Sequence, residues 1–128
     1  AGLCREETFE PGETIFRQGD TCNGIYIIAE GQVALERTVD LGTRKGNVVI
    51  GILGKGRAFG CWSTLLGKAH SLLSTASCQK STKALFFSGT EIRALMLSNT
   101  ALGFSLLERL CLFLRDRLQS VYGAMERL

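Results

Sequence analysis

The chain has 128 residues, 45% of them hydrophobic, and a net charge of only +3 with acidic and basic residues interleaved. That length fits one domain able to bury a sizeable core, and the balanced charge gives no footprint for nucleic-acid binding by this segment itself. No apolar run approaches a membrane span, the N-terminus lacks the layout of a signal peptide, and five cysteines without a CxxC pair argue for reduced thiols in a cytoplasm rather than a disulfide framework or zinc knuckle.

Thr14-Ile15-Phe16 is expected to be a short strand after the turn Pro11-Gly12, and Gly19-Asp20 makes the next turn. Gly24 to Ala29 is the strongest strand, rich in β-branched and aromatic residues. Glu30-Gly31 turns the chain into a strand from Gln32, where Val33, Leu35 and Arg37 alternate with Ala34, Glu36 and Thr38. Asp40 to Asn47 is expected to be a polar hairpin loop, with Val48 to Leu53 as the returning strand. Gly54-Lys55-Gly56 turns again before a short strand at Arg57-Ala58-Phe59. Trp62 to Leu66 fits one helical turn closed by Gly67, and Ser71 to Cys78 and Lys83 to Ser88 fit a last pair of strands. Many short strands with frequent glycine turns indicate a barrel or sandwich.

The character changes at Gly89. Thr90 to Leu97 is expected to be a short helix, and Asn99 or Thr100 caps a long one. In that helix Leu107, Cys111, Leu114, Leu118, Val121, Met125 and Leu128 step alternately by four and three, an apolar seam flanked by Arg109, Arg115, Asp116, Glu126 and Arg127. A seam this narrow asks for a second helix, so homodimerisation is the expectation. Gly103 and Gly123 are expected to weaken the helix locally. Cys78 and Cys111 sit in apolar patterns and are expected to be buried. The helix reaches Leu128 without a stop signal, as though cut from a longer protein. The division expected is 1–98 for the β domain with its short helix and 99–128 for the pairing helix.

Phe59-Gly60-Cys61-Trp62-Ser63 leads from a strand into a turn, where backbone amides can cradle an anion. Taken with Phe9 to Phe16, Gly19-Asp20, Ile25 to Ile28 and Gly31-Gln32-Val33, it resembles a cyclic-nucleotide-binding domain, a β-barrel of jelly-roll type. Phe59-Gly60 looks like the start of that family's phosphate-binding cassette, and Gly67-Lys68-Ala69-His70-Ser71 is similar to its end. Arg115 to Gln119 resembles the dimer helix of Crp–Fnr-type bacterial regulators.

The resemblance implies a glutamate after Phe-Gly to hold the ribose, and an arginine with a small hydroxyl residue to hold the cyclic phosphate. Here those positions are Cys61 and His70-Ser71. It also implies that Val121 and Tyr122 meet the base, where small hydroxyl residues are expected. Losing the arginine removes a permanently charged bidentate donor, which a histidine replaces only when protonated. The three departures argue against ordinary cyclic AMP binding and leave the effector unidentified, a cyclic nucleotide remaining one candidate. Gly60, Cys61, Trp62, Ser63, His70, Ser71, Val121 and Tyr122 are the candidate ligand residues.

Other readings stay open. His70, the single histidine, with Cys61 or another cysteine, is a candidate haem ligand pair. Cys61 lies where turn amides would activate a redox-sensing thiol. Trp62 and Tyr122 either stack on a ligand or serve in packing. No nucleophile–base pair, metal-ligand cluster or P-loop points to an enzyme. The same type of domain occurs in kinases and channels. The seam favours a transcription regulator, whose DNA-binding helix-turn-helix would follow Leu128, as the resemblance implies.

Overall fold

The computed structural model describes residues 4–61 and 70–126. The order of elements is β1 (Cys4–Phe9), β2 (Thr14–Phe16), β3 (Thr21–Cys22), β4 (Gly24–Glu30), β5 (Val33–Asp40), β6 (Lys45–Leu53), β7 (Ala58–Gly60), β8 (His70–Ser71), β9 (Thr75–Cys78), β10 (Thr82–Ser88), α1 (Gly89–Ser98) and α2 (Thr100–Glu126). Two four-stranded antiparallel sheets, β1-β10-β4-β7 and β2-β9-β5-β6, form a sandwich of jelly-roll type, and β3 pairs with β8 beside them.

The core lies between the sheets. Phe16, Tyr26 and Phe59 meet at its centre, with the Tyr26 and Phe59 rings stacked at 5.2 Å between centroids. Ile28, Val33, Leu35, Leu53 and Cys78 fill the remainder. β4 reads as a continuous apolar run because both its faces are covered. Tyr26 and Ile28 face the sandwich core, while Ile25 and Ile27 meet Met96 of α1 and Leu106 and Leu110 of α2.

The strands expected at 14–16, 24–29 and 83–88 and both helices are present, each within a residue or two of its expected bounds. The strand assignments need three corrections. β1 was not expected, because its Arg5-Glu6-Glu7 core is polar; it is an exposed edge strand, held by its register with β10. The loop expected over Asp40–Asn47 shrinks to residues 41–44. Asp40 pairs with Lys45 and Thr38 with Asn47 in the ladder, and the Thr38 hydroxyl bonds Asn47 Oδ1 at 2.9 Å. The single strand expected from Ser71 to Cys78 is two, β8 and β9, which join different sheets.

Cys78 is buried as expected, but Cys111 is exposed. Helix α2 has two apolar stripes rather than one. Leu106, Leu110, Phe113 and Ala124 turn toward the β domain or α1, and Cys111 belongs to the other stripe. Asn99 caps α2 as expected, its Oδ1 accepting from Leu102 N at 3.1 Å. Gly103, expected as a weak point, is a contact point: a Cβ there would stand 2.9 Å from Met96 O. The helical turn expected at Trp62–Leu66 lies outside the described residues, as do Ser63, Gly67-Lys68-Ala69 and Leu128.

Candidate functional site

The two ends of the segment expected to form the cassette are separate in sequence but rest on one short stretch, Thr21 to Ile25. β7 pairs with β4 so that Gly60 lies opposite Ile25, and Cys61 N donates to Gly24 O at 3.0 Å. β8 pairs with β3, placing His70 opposite Cys22 and Ser71 opposite Thr21. Gly60 has φ +130°, and a Cβ there would stand 2.7 Å from Gly24 O. Only glycine meets both demands cheaply, so the sharp exit from β7 depends on this residue.

Cys61 is fully buried (0% exposed) at the edge of the core cluster that holds Phe59 and Leu72. Its N–H is already used by Gly24 O, so this amide belongs to the sheet ladder. Ser71 is exposed. Cys22, which sequence reasoning left outside the site, is its neighbour: its thiol lies 3.6 Å from Gly24 O and interacts with Cys61. Burial pushes the Cys22 thiol above its ordinary range, with the backbone of Gly24 pulling partly against it. The only sequence signal was its place two residues before Gly24, on the same side of an extended chain.

Helix α2 meets the β domain beside this region. Arg117 Nη2 donates to Ala58 O at 3.2 Å, two residues before Gly60. Burial, and Arg57 nearby, lower the proton affinity of that guanidinium. A polar groove of ≈ 470 Å³ lies between Ile50 and Arg57 on one side and Asp116, Gln119, Ser120 and Gly123 on the other. The residues expected to meet a base divide: Val121 is half-buried, whereas Tyr122 is 62% exposed and lines neither this groove nor a second one between residues 47–52 of β6 and Ala124. Among the described residues no cluster of three or more His, Cys, Asp or Glu is placed to hold a metal ion, and no helix is long and apolar enough to cross a membrane.

A sandwich of this topology, with a glycine turn leaving β7 and a long helix laid against it, is the architecture of cyclic-nucleotide-binding-type domains. Residues 6–99 match the cyclic nucleotide-binding domain family, and the chain belongs to that family. Among solved structures it is similar to the catabolite activator protein of Thermus thermophilus, with 28% identity and a TM-score of 0.70 over 88% of this chain and 51% of that one. It also resembles the c-di-GMP-responsive global regulator CLP of Xanthomonas campestris, with 16% identity and a TM-score of 0.83 over 98% of this chain and 59% of that one. The N-terminal domain of a transcriptional regulator from Streptomyces coelicolor matches at 23% identity and a TM-score of 0.69, over 88% of this chain and 77% of that one. The chain thus spans little more than half the length of the first two proteins. Comparison with curated protein sequences gives no match.

Proposed function

We propose that this chain is the effector-sensing, dimerising domain of a Crp–Fnr-type transcription regulator, with an altered cyclic-nucleotide pocket. The observation that carries this reading is the second stripe of α2. Phe104, Leu107, Leu114, Leu118 and Met125 are all exposed, Leu118 by 54% and Met125 by 58%, and Cys111 lies among them. So many large apolar side chains along one line of a helix favour a partner of the same shape. A second α2 supplies one, with residues 1–98 as the sensing unit and 99–128 as the pairing unit.

The altered pocket rests on chemistry. A thiol buried at position 61 has neither the charge nor the reach of a carboxylate, so it supports no hydrogen bonds to a ribose diol. Effector binding between the cassette and α2 shifts the pairing of two helices only as far as it favours one arrangement over the other. A helix-turn-helix following the seam on each subunit then reads a two-fold DNA site, and the regulator works in the cytoplasm.

Two measurements test this. Sedimentation velocity of the purified chain should show a reversible dimer; a monomer at millimolar protein overturns the pairing. Thermal shift against millimolar cyclic AMP and cyclic GMP should leave the midpoint unchanged, and a rise of several degrees overturns the altered pocket.

A further inference from the structure

Helices α1 and α2 cover the outer face of the sheet β1-β10-β4-β7 without closing on it. Between them lies a cavity of ≈ 310 Å³. Its floor is Ile25, Ile27 and Ala58, and Ile92, Leu106 and Phe113 form its walls. Every lining residue is apolar except Arg109.

Arg109 is exposed and is the one charged residue among those that line the cavity. It is spaced three from Leu106 and four from Phe113, so helical geometry puts it on the flank of the stripe that turns toward the β domain. It is two residues from both Leu107 and Cys111, hence on the side of the helix opposite the exposed seam rather than flanking it as expected from the sequence. Arg117, further along the same stripe, is satisfied by Ala58 O. Arg109 makes no hydrogen bond or salt bridge among the described residues.

We infer that this cavity is a second ligand site, separate from the cassette, for an amphipathic monocarboxylate: a single hydrocarbon tail of medium length with an acid head. The walls offer the tail a dry surface and give a polar body no partner. The stem of Arg109 lines the cavity and the residue is exposed, so its planar guanidinium has the reach to take a carboxylate at the mouth by two parallel N–H···O bonds. The volume is at the lower end for ligand sites, about 300–1,000 Å³, which suits one short tail and excludes a two-chain lipid. A tail on Ala58 touches the strand whose carbonyl holds Arg117, so occupancy bears on how α2 sits against the β domain. None of this depends on what the cassette binds or on whether the helices pair.

The test is titration of the purified chain with decanoate, decanol and acetate below the micellar range, by calorimetry and thermal shift. Decanoate should bind one per chain and raise the midpoint by several degrees, decanol should bind about tenfold or more weakly, and acetate should not bind. Arg109→Gln, at an exposed position, should reduce decanoate to the affinity of decanol and leave decanol unchanged. Leu106→Trp should abolish both by filling the cavity. The proposal is overturned by no binding of decanoate, by equal affinity for acid and alcohol, by several molecules per chain, or by binding that survives Arg109→Gln undiminished. If Leu106→Trp does not fold, the acid–alcohol comparison in Arg109→Gln decides alone.

Discussion

The Arg117 guanidinium donates to the carbonyl oxygen of Ala58, tying the middle of α2 to the strand that ends at Gly60. Residues 59 positions apart in the chain thereby form a direct link between the long helix and β7. The link is buried enough to lower the arginine's hold on its proton. Arg117→Met keeps most of the apolar stem and removes the donor. It should cost about 1–2 kcal/mol of stability, measured by urea denaturation. An unchanged midpoint would mean that solvent satisfies both groups equally well.

Gly103 offers a second, sharper contact. Alanine normally improves a helix interior by about 1 kcal/mol over glycine. Here a Cβ would press on Met96 O, a backbone atom that yields only if α1 and α2 separate. Gly103→Ala should therefore destabilise the chain by about 1 kcal/mol despite its better propensity, and Gly103→Val by about 2–3 kcal/mol. Thermal melts of the two variants check the order; a stabilised alanine variant would show that the crossing is loose.

Tyr26 supplies a pH dependence. Burial in the core, with Glu7 and Cys22 adding to it and Arg5 opposing, pushes its phenol up to about 12. The unfolded chain releases this proton near the ordinary tyrosine value of about 10. Between those values the folded state holds more protons than the unfolded state, so stability falls as pH rises. Below pH ~10 the contribution is fully present, and it is lost through pH ~12, amounting to about 3 kcal/mol. Tyr26→Phe should remove most of that alkaline loss in denaturation curves taken across this window.

The exposed stripe of α2 predicts the behaviour of the pairing helix. Leu118→Lys places a charge in the centre of the proposed seam and should weaken self-association at least tenfold, about 1.4 kcal/mol, with the circular dichroism spectrum intact. In a Cys4→Ser background, mild oxidation should join two chains through Cys111, and Cys111→Ser should abolish the covalent dimer on a non-reducing gel. A covalent dimer that persists in the Leu118→Lys variant at low concentration would count against the seam.

The limits of the sequence follow from range. Turn residues and strand propensity are local, so Pro11-Gly12, Gly19-Asp20, the β4 run and the Asn99 cap were all legible, and they placed most elements. The edge strand β1 was hidden because its hydrogen bonds to β10 come from residues about 80 positions later, while its own side chains look like a loop. The ends of the expected cassette, Gly60-Cys61 and His70-Ser71, were placed by resemblance. Their meeting on Thr21–Ile25 was not, and neither was the approach of Cys22 to Cys61.

The sequence by itself determined the period of the apolar residues along α2, a barrel or sandwich of many short strands, and a cysteine in place of a carboxylate at position 61. Each is a property of neighbours within a few residues or of one side chain's chemistry. Only the tertiary structure decided that α2 carries a second stripe, that Gly103 is a contact point and that Arg109 overlooks an apolar cavity. Those facts depend on which surface the helix turns to the sheet. That choice is made by packing between elements far apart in the chain, where one hydrophobic period looks much like another.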